Sequence, residues 1–280
     1  MLHYAVSLAP TIHNSSFITH HSTFYIHHSA FIILHSTFYI LHYPVYEVRN
    51  ISFTYSRRKV LRDVSFVVSP GEAVSIVGDN GAGKTTLLKV LATLAQPDDG
   101  RVIMDGQDAL LKPLRYRRQL GYMSETPALY EDMTVKSYLE YRAALKGEAE
   151  KRIRRRVGEA AELCAINTFM KSPIRSLSLG LRKRVALADA MLLRPRILLL
   201  DDFLAGLDTG MRESAGEAIS SVAAFASVIV TGHEITDLAK WTTRFLVLSG
   251  GIVSATIPTA GTDTATVAGR VEAALKGGRS

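Results

Sequence analysis

The sequence is short of cysteine, and one end of it lacks charge altogether. Cys164 is the only cysteine in 280 residues, which excludes an intrachain disulfide and suits a reducing compartment. No Asp, Glu, Lys or Arg precedes Glu47, although eight of the nine histidines lie within residues 1–42. Without a basic start and an unbroken apolar core, this end does not fit a secretory signal. It also lacks a clean membrane span. Such a span needs roughly 20 mainly apolar residues, and the stretch from Phe24 to Tyr43 is interrupted by His27, His28, Ser29, His35 and Ser36. A metal site would want acids or cysteines beside the histidines, and there are none. What the segment does have is a seven-residue repeat: NSSFITH from Asn14, HSTFYIH from His21, HSAFIIL from His28 and HSTFYIL from His35. Its β-branched and aromatic residues, with no flanking charge pattern, do not make a coiled coil. A seven-nucleotide tandem repeat would encode this period, so residues 1–44 are expected to be a disordered extension or the product of a start codon placed too early.

Everything charged follows. The remainder holds all 33 Lys and Arg and all 26 Asp and Glu, for a net charge of +7. That balance suits an acidic ligand, a nucleic acid or an anionic surface without choosing among them. From Val45 strands and helices alternate, which predicts an α/β domain with a mostly parallel core sheet and an antiparallel β part at its start. A helix-rich stretch, about 125–190, interrupts the alternation and is expected to form an inserted lobe. It contains the run KRIRRR at 151–156, whose plainest reading is a solvated helix face, with contact to lipid or a membrane chain as the alternative. Domain bounds of 45–257 follow, with a short tail at 258–280.

The sharpest motif is GDNGAGKTT, comprising Gly78, Asp79, Asn80, Gly81, Ala82, Gly83, Lys84, Thr85 and Thr86. It fits G-x-x-x-x-G-K-[ST], the phosphate loop of P-loop NTPases. The glycines let backbone N–H groups converge on phosphate oxygens, and the following helix adds its positive end. Lys84 supplies charge to the β- and γ-phosphates and Thr85 a hydroxyl for Mg²⁺. A second acid is needed at the end of a neighbouring buried strand, and Asp201 follows RILLL.

Between these two sites the sequence resembles the ABC-type ATPases. SLSLGLRKRVALADAML looks like their signature segment, with Ser178 and Gly180 matching and Leu179 and Leu181 departing from the usual L-S-G-G-Q. Tyr55 stands where the family stacks an aromatic on adenine. Glu125 takes the place of the family's glutamine, Asp208 ends a D-loop-like AGLD, and His233 stands at the switch histidine. The resemblance spans about 45–255 in the right order. It implies an ABC-type P-loop fold and a head-to-tail dimer, with two ATP molecules held between one subunit's phosphate loop and the other's Ser178 and Gly180. It implies Mg²⁺ on Thr85 and Asp201, with Glu125 holding the ion or the attacking water. Asp202 falls where the family has the glutamate that orients that water. Being one methylene shorter, it predicts slow hydrolysis. The expected setting is a peripheral subunit on the cytoplasmic face of a membrane, of bacterial exporter type. It would work with separate transmembrane permease subunits, as a homodimer or a heterodimer with another ABC ATPase. No nucleic acid partner is expected, because the coiled coils or doubled ATPase domains of such relatives are missing. The alternatives are a regulatory switch that binds ATP and barely hydrolyses it, or an ABC-type ATPase acting on nucleic acid.

Overall fold

The computed structural model describes residues 46–277 and, as backbone strands, residues 15–19, 22–24, 29–34 and 37–42. The described strands of the extension are β1 (Ser15–Thr19), β2 (Ser22–Phe24), β3 (Ser29–Leu34) and β4 (Thr37–His42), in the order β2-β1-β3-β4. Its β-branched and aromatic composition favours extended backbone. Phe17 pairs with Phe31, so β1 and β3 align two repeats apart.

The charged part opens with an antiparallel sheet. β5 (Tyr46–Tyr55) pairs with β6 (Arg58–Val68) and with β8 (Asp99–Met104), which carries the two-residue β9 (Gln107–Asp108). Alternation along β5 sends Tyr46, Val48, Ile51 and Phe53 inward.

The second sheet has six strands in the order β10-β11-β12-β7-β13-β14. β7 (Ala73–Val77), β10 (Leu120–Met123), β11 (Ile197–Leu200), β12 (Ser227–Thr231) and β13 (Arg244–Ser249) are parallel, and β14 (Ile252–Pro258) turns back along β13. Every residue of β7, β11 and β12 is buried, as expected for strands covered on both faces. One face packs on α1 (Lys84–Leu91), the short α2 (Pro113–Arg117) and the antiparallel sheet. The other packs on α5 (Leu179–Met191), α6 (Thr209–Ala223), α7 (Ile235–Trp241) and α8 (Thr264–Gly277). Parallel strands leave their carboxyl ends on one edge, the usual place for a ligand cleft.

The inserted lobe is present. α3 (Val135–Leu145) and α4 (Glu150–Leu163) pack on each other and on α5. The tail is more than an appendage: α8 buries Val267 and Val271 completely in the same core as Phe245 and Ile257. Its short Thr/Ala/Gly-rich sequence hides how much apolar surface these small residues cover.

Candidate active site: a phosphate cleft beside two acids

The cleft begins where β7 runs out. The chain must turn at Gly78, where a Cβ would lie 2.3 Å from the Leu248 carbonyl oxygen. Gly83 caps α1 with φ of 106°, a conformation that disfavours any side chain. The turn folds Lys84 back over its own loop. Lys84 Nζ donates to the carbonyls of Gly78 at 2.8 Å and Asp79 at 3.3 Å, and it lies 3.3 Å from His233 Nε2. Burial lowers the proton affinity of Lys84, and the charges of Asp202 and Asp201 oppose that shift.

Asp201 and Asp202 follow β11 directly, yet their surroundings differ. Asp201 is buried, with Oδ1 accepting from Thr231 Oγ1 at 2.8 Å and from Thr85 Oγ1 at 3.2 Å. Asp202 has φ of 46°, in the left-handed region. Its backbone N–H donates to Thr231 Oγ1 at 2.9 Å. Its carbonyl accepts from Lys183 Nζ at 3.0 Å, which also reaches the carbonyls of Phe203 (3.0 Å) and Ala205 (2.6 Å). All three ammonium protons thus hold the turn, and Phe203 anchors it in the core. Burial raises the carboxyl pKa of both acids. Hydrogen bonds from Thr231 and Thr85 offset this at Asp201, whereas the neighbouring Glu234 adds to it at Asp202.

Three buried side-chain polar atoms lack a partner among the described residues, and two belong to these acids: Asp201 Oδ2 and Asp202 Oδ1. The third is the Tyr122 hydroxyl, which burial and the Asp201 charge push up to about 12. An unsatisfied buried carboxylate oxygen beside a threonine hydroxyl fits a hard cation, which takes oxygen ligands and completes its shell with phosphate and water. No cluster of three or more acidic, His or Cys side chains among the described residues would hold such an ion alone.

Tyr55, Asn80, Gly81, Gly83, Lys84, Thr85, Thr86, Glu125, Asp201, Asp202 and His233 all border one cleft of about 440 Å³. The Tyr55 ring stands 48% exposed at its rim, edge-on to Phe53 at 4.7 Å. Glu125 is exposed just beyond β10. Ser178, Gly180 and Asp208 do not border this cleft. Ser178 is exposed as the N-cap of the 13-residue α5, its Oγ accepting from the Leu181 N–H at 3.4 Å. Gly180 is buried, with Met211 Sδ 2.1 Å from where a Cβ would stand. Asp208 caps α6 by accepting from the Met211 N–H at 2.9 Å. Sequence reasoning passed over Thr231 and Lys183, which fix the two acids. Thr231 stands two positions before His233 on the strand, while the reach of Lys183 across 19 to 22 residues left no local signal. Arg58, at the cleft rim, was also missed.

The parallel sheet, its phosphate loop and the inserted lobe define the class: an ABC-type ATP-binding domain. A solved "ATP binding subunit of ABC transporter" superposes with a TM-score of 0.71 and 28% identity, covering 81% of this chain and 99% of that one. A second, described as the "dimeric structure of MJ0796, a bacterial ABC transporter cassette", gives 0.70 and 25%, covering 77% and 99%. Residues 61–205 match the family model described as ABC transporter, and the chain belongs to that family. It is 30% identical over 212 residues to the spermidine/putrescine import ATP-binding protein PotA of Spiroplasma citri, covering 75% of this chain. The chain spans 60% of that relative's length.

Proposed function

We propose that this chain is the ATP-binding, ATP-hydrolysing subunit of an ABC transporter. The observation that carries the reading is the meeting of Lys84, Thr85, Asp201, Asp202 and His233 in one cleft, with one carboxylate oxygen each of Asp201 and Asp202 left unpartnered. Backbone N–H groups of the loop and the end of α1 receive the phosphates. Lys84 exchanges its loop carbonyls for β- and γ-phosphate oxygens. Tyr55 offers its exposed face to adenine. Thr85 and Asp201 would hold Mg²⁺, with Glu125 within reach of the same cleft; when bound, the ion neutralises charge that develops on the phosphates. Asp202 orients the attacking water and His233 contacts the γ-phosphate.

The separation of Ser178 from the cleft supports a site completed by a second subunit. Ser178 lies exposed at the N-terminus of α5, where the helix dipole favours a phosphate. Either a second copy or a different ABC ATPase would supply the facing α5. Hydrolysis is slow in this reading, because the shorter Asp202 starts from a turn that Lys183 and Thr231 hold fixed.

No described helix is long and apolar enough to cross a membrane. The partners in this reading are separate permease subunits. A groove of about 650 Å³ between α2 and α3 is suited to receive one. Leu94, Leu114 and Leu145 are 57%, 77% and 57% exposed there. Arg115 and Arg118 stand among them, and an acidic, amphipathic cytoplasmic segment would match both features. Tyr122 borders this groove. The setting is the cytoplasmic face of the membrane. The name of the Spiroplasma relative refers to import, so the exporter lean of the sequence gains nothing from it, and no direction of transport is proposed.

Calorimetric titration with Mg-ATP tests the reading. Binding by the full chain and its loss in Lys84→Ala are expected; no binding by the wild-type chain would overturn it. Co-purification of a membrane protein would support the transport role, and salt-sensitive binding to nucleic acid would favour a different partner.

A further inference from the structure

Behind the cleft lies an ion-paired network that the phosphate chemistry does not use. Glu234 follows His233 at the start of α7, and its side chain folds back on its own neighbour: Oε2 accepts from the His233 backbone N–H at 3.2 Å. The other oxygen, Oε1, lies 3.5 Å from Arg212 Nη2. Arg212 belongs to α6, the helix that Asp208 caps. It donates from Nε to the Leu207 carbonyl at 2.9 Å and sits 3.4 Å from Asp237 through Nη1. One guanidinium therefore ties together the Leu207–Asp208 segment, Glu234 and the first turn of α7.

The link lies close against Asp202. Gly232 stands between the two acids: a Cβ there would lie 3.5 Å from Glu234 Oε2, 3.8 Å from Asp202 Oδ1 and 3.1 Å from Leu238 Cδ1. Glu234 folds inward beside it, its side chain only 16% exposed. His233 itself is exposed and hangs over Lys84. Its backbone thus has a fixed anchor, while its ring faces the cleft.

We propose that Glu234 is a positioning residue for His233, and that Arg212 passes movement of the Leu207–Asp208 segment to it. A partner subunit that engages Asp208 would shift α6, Arg212 and Glu234 together. The histidine is then aligned only when that segment is seated. This inference rests on the ATPase reading above, with His233 at the γ-phosphate. A displacement of about 1 Å in a group acting on the reacting centre is enough to lose about 10² in rate.

Steady-state ATP hydrolysis by the full chain, with kcat and KM measured separately, tests it. Glu234→Ala removes both contacts and is expected to lower kcat by about tenfold or more, with KM and Tm little changed, since the loss falls on the transition state rather than on nucleotide binding. Glu234→Gln keeps an acceptor for the His233 N–H but loses the charge for Arg212. It should restore part of the rate, to within about threefold of wild type. Arg212→Gln should resemble it, and the double variant Arg212→Gln/Glu234→Gln should be no slower than either single one, because both cut the same link. A kcat for Glu234→Ala within twofold of wild type would overturn the proposal, as would losses that multiply in the double variant. An equal fall in Ala and Gln accompanied by a raised KM would overturn it too. A wild-type chain that hydrolyses no ATP would instead overturn the parent reading, and this inference with it.

Discussion

In the inserted lobe most acids have a basic partner. Glu148 meets Arg152 at 2.6 Å and Arg156 at 3.0 Å, Glu159 meets Arg155, Arg156 and Arg194, and Asp189 receives Arg142 and Lys146. In the phosphate cleft the two acids at the end of β11 keep one unpartnered oxygen each, and Lys84 is held by backbone carbonyls rather than by a carboxylate. Charge in the lobe is matched to charge and fixes helices against one another. Charge in the cleft is held by neutral oxygens that a ligand can replace. The contrast matters for reading sequences: KRIRRR is the most conspicuous charged run in the chain, yet Arg152, Arg155 and Arg156 close ion pairs, while the paired acids of LLLDDF are the groups left open.

The largest expected effect comes from emptying the cleft of its cation. Lys84→Ala should lower ATP hydrolysis by about 10²–10³-fold, with Tm within a few degrees of wild type, read by a phosphate-release assay and calorimetry. The same change in rate from Arg154→Ala would erase the distinction between the two regions. Next is Lys183→Met, which leaves the carbonyls of Asp202, Phe203 and Ala205 without their donor. A loss of about 3 kcal/mol in denaturant unfolding is expected, together with a slower hydrolysis rate. An unaltered stability would show that the left-handed turn at Asp202 stands without it.

Effects in the lobe should be smaller and of a different kind. Burial alone would raise the Glu148 carboxyl pKa, but the Ala149 N–H, Arg152 and Arg156 hold it down at about 2. Its unfolded value lies near 4.3. The stabilisation is therefore complete above about pH 4.3 and disappears as pH falls through about 2. Glu148→Gln should lower Tm at pH 7 by about 2–4 °C, with the gap to wild type shrinking over that acid range and hydrolysis unchanged at neutral pH. A gap independent of pH would mean that the glutamate acts by packing. The smallest effect belongs to Arg154, which makes no ion pair among the described residues. Arg154→Ala should move stability by less than about 0.5 kcal/mol.

Local pattern made part of this legible in advance. The loop from Gly78 to Thr86 follows an apolar strand and opens a helix, and Asp201 follows four buried aliphatic residues, so period and spacing were enough. The inserted lobe was legible as a helix-rich break in the strand–helix alternation, whereas the order of the strands in each sheet was not. Contacts between distant residues were not legible. Lys183 reaches the Asp202 turn from another helix, Thr231 joins both acids from the neighbouring strand, and Gly180 is covered by Met211 from α6. The left-handed φ at Asp202 belongs to that same set, because Lys183 and Thr231 hold it there. α8 was underestimated because alanines and valines bury surface without a conspicuous motif.

The central claim is that the cleft binds ATP normally and hydrolyses it slowly because Asp202 is one methylene short. Single-turnover hydrolysis by the full chain, comparing wild type with Asp202→Glu, tests that most directly. The account predicts a rate about tenfold higher for the glutamate variant at equal ATP affinity. An equal or lower rate, with affinity unchanged, would contradict it.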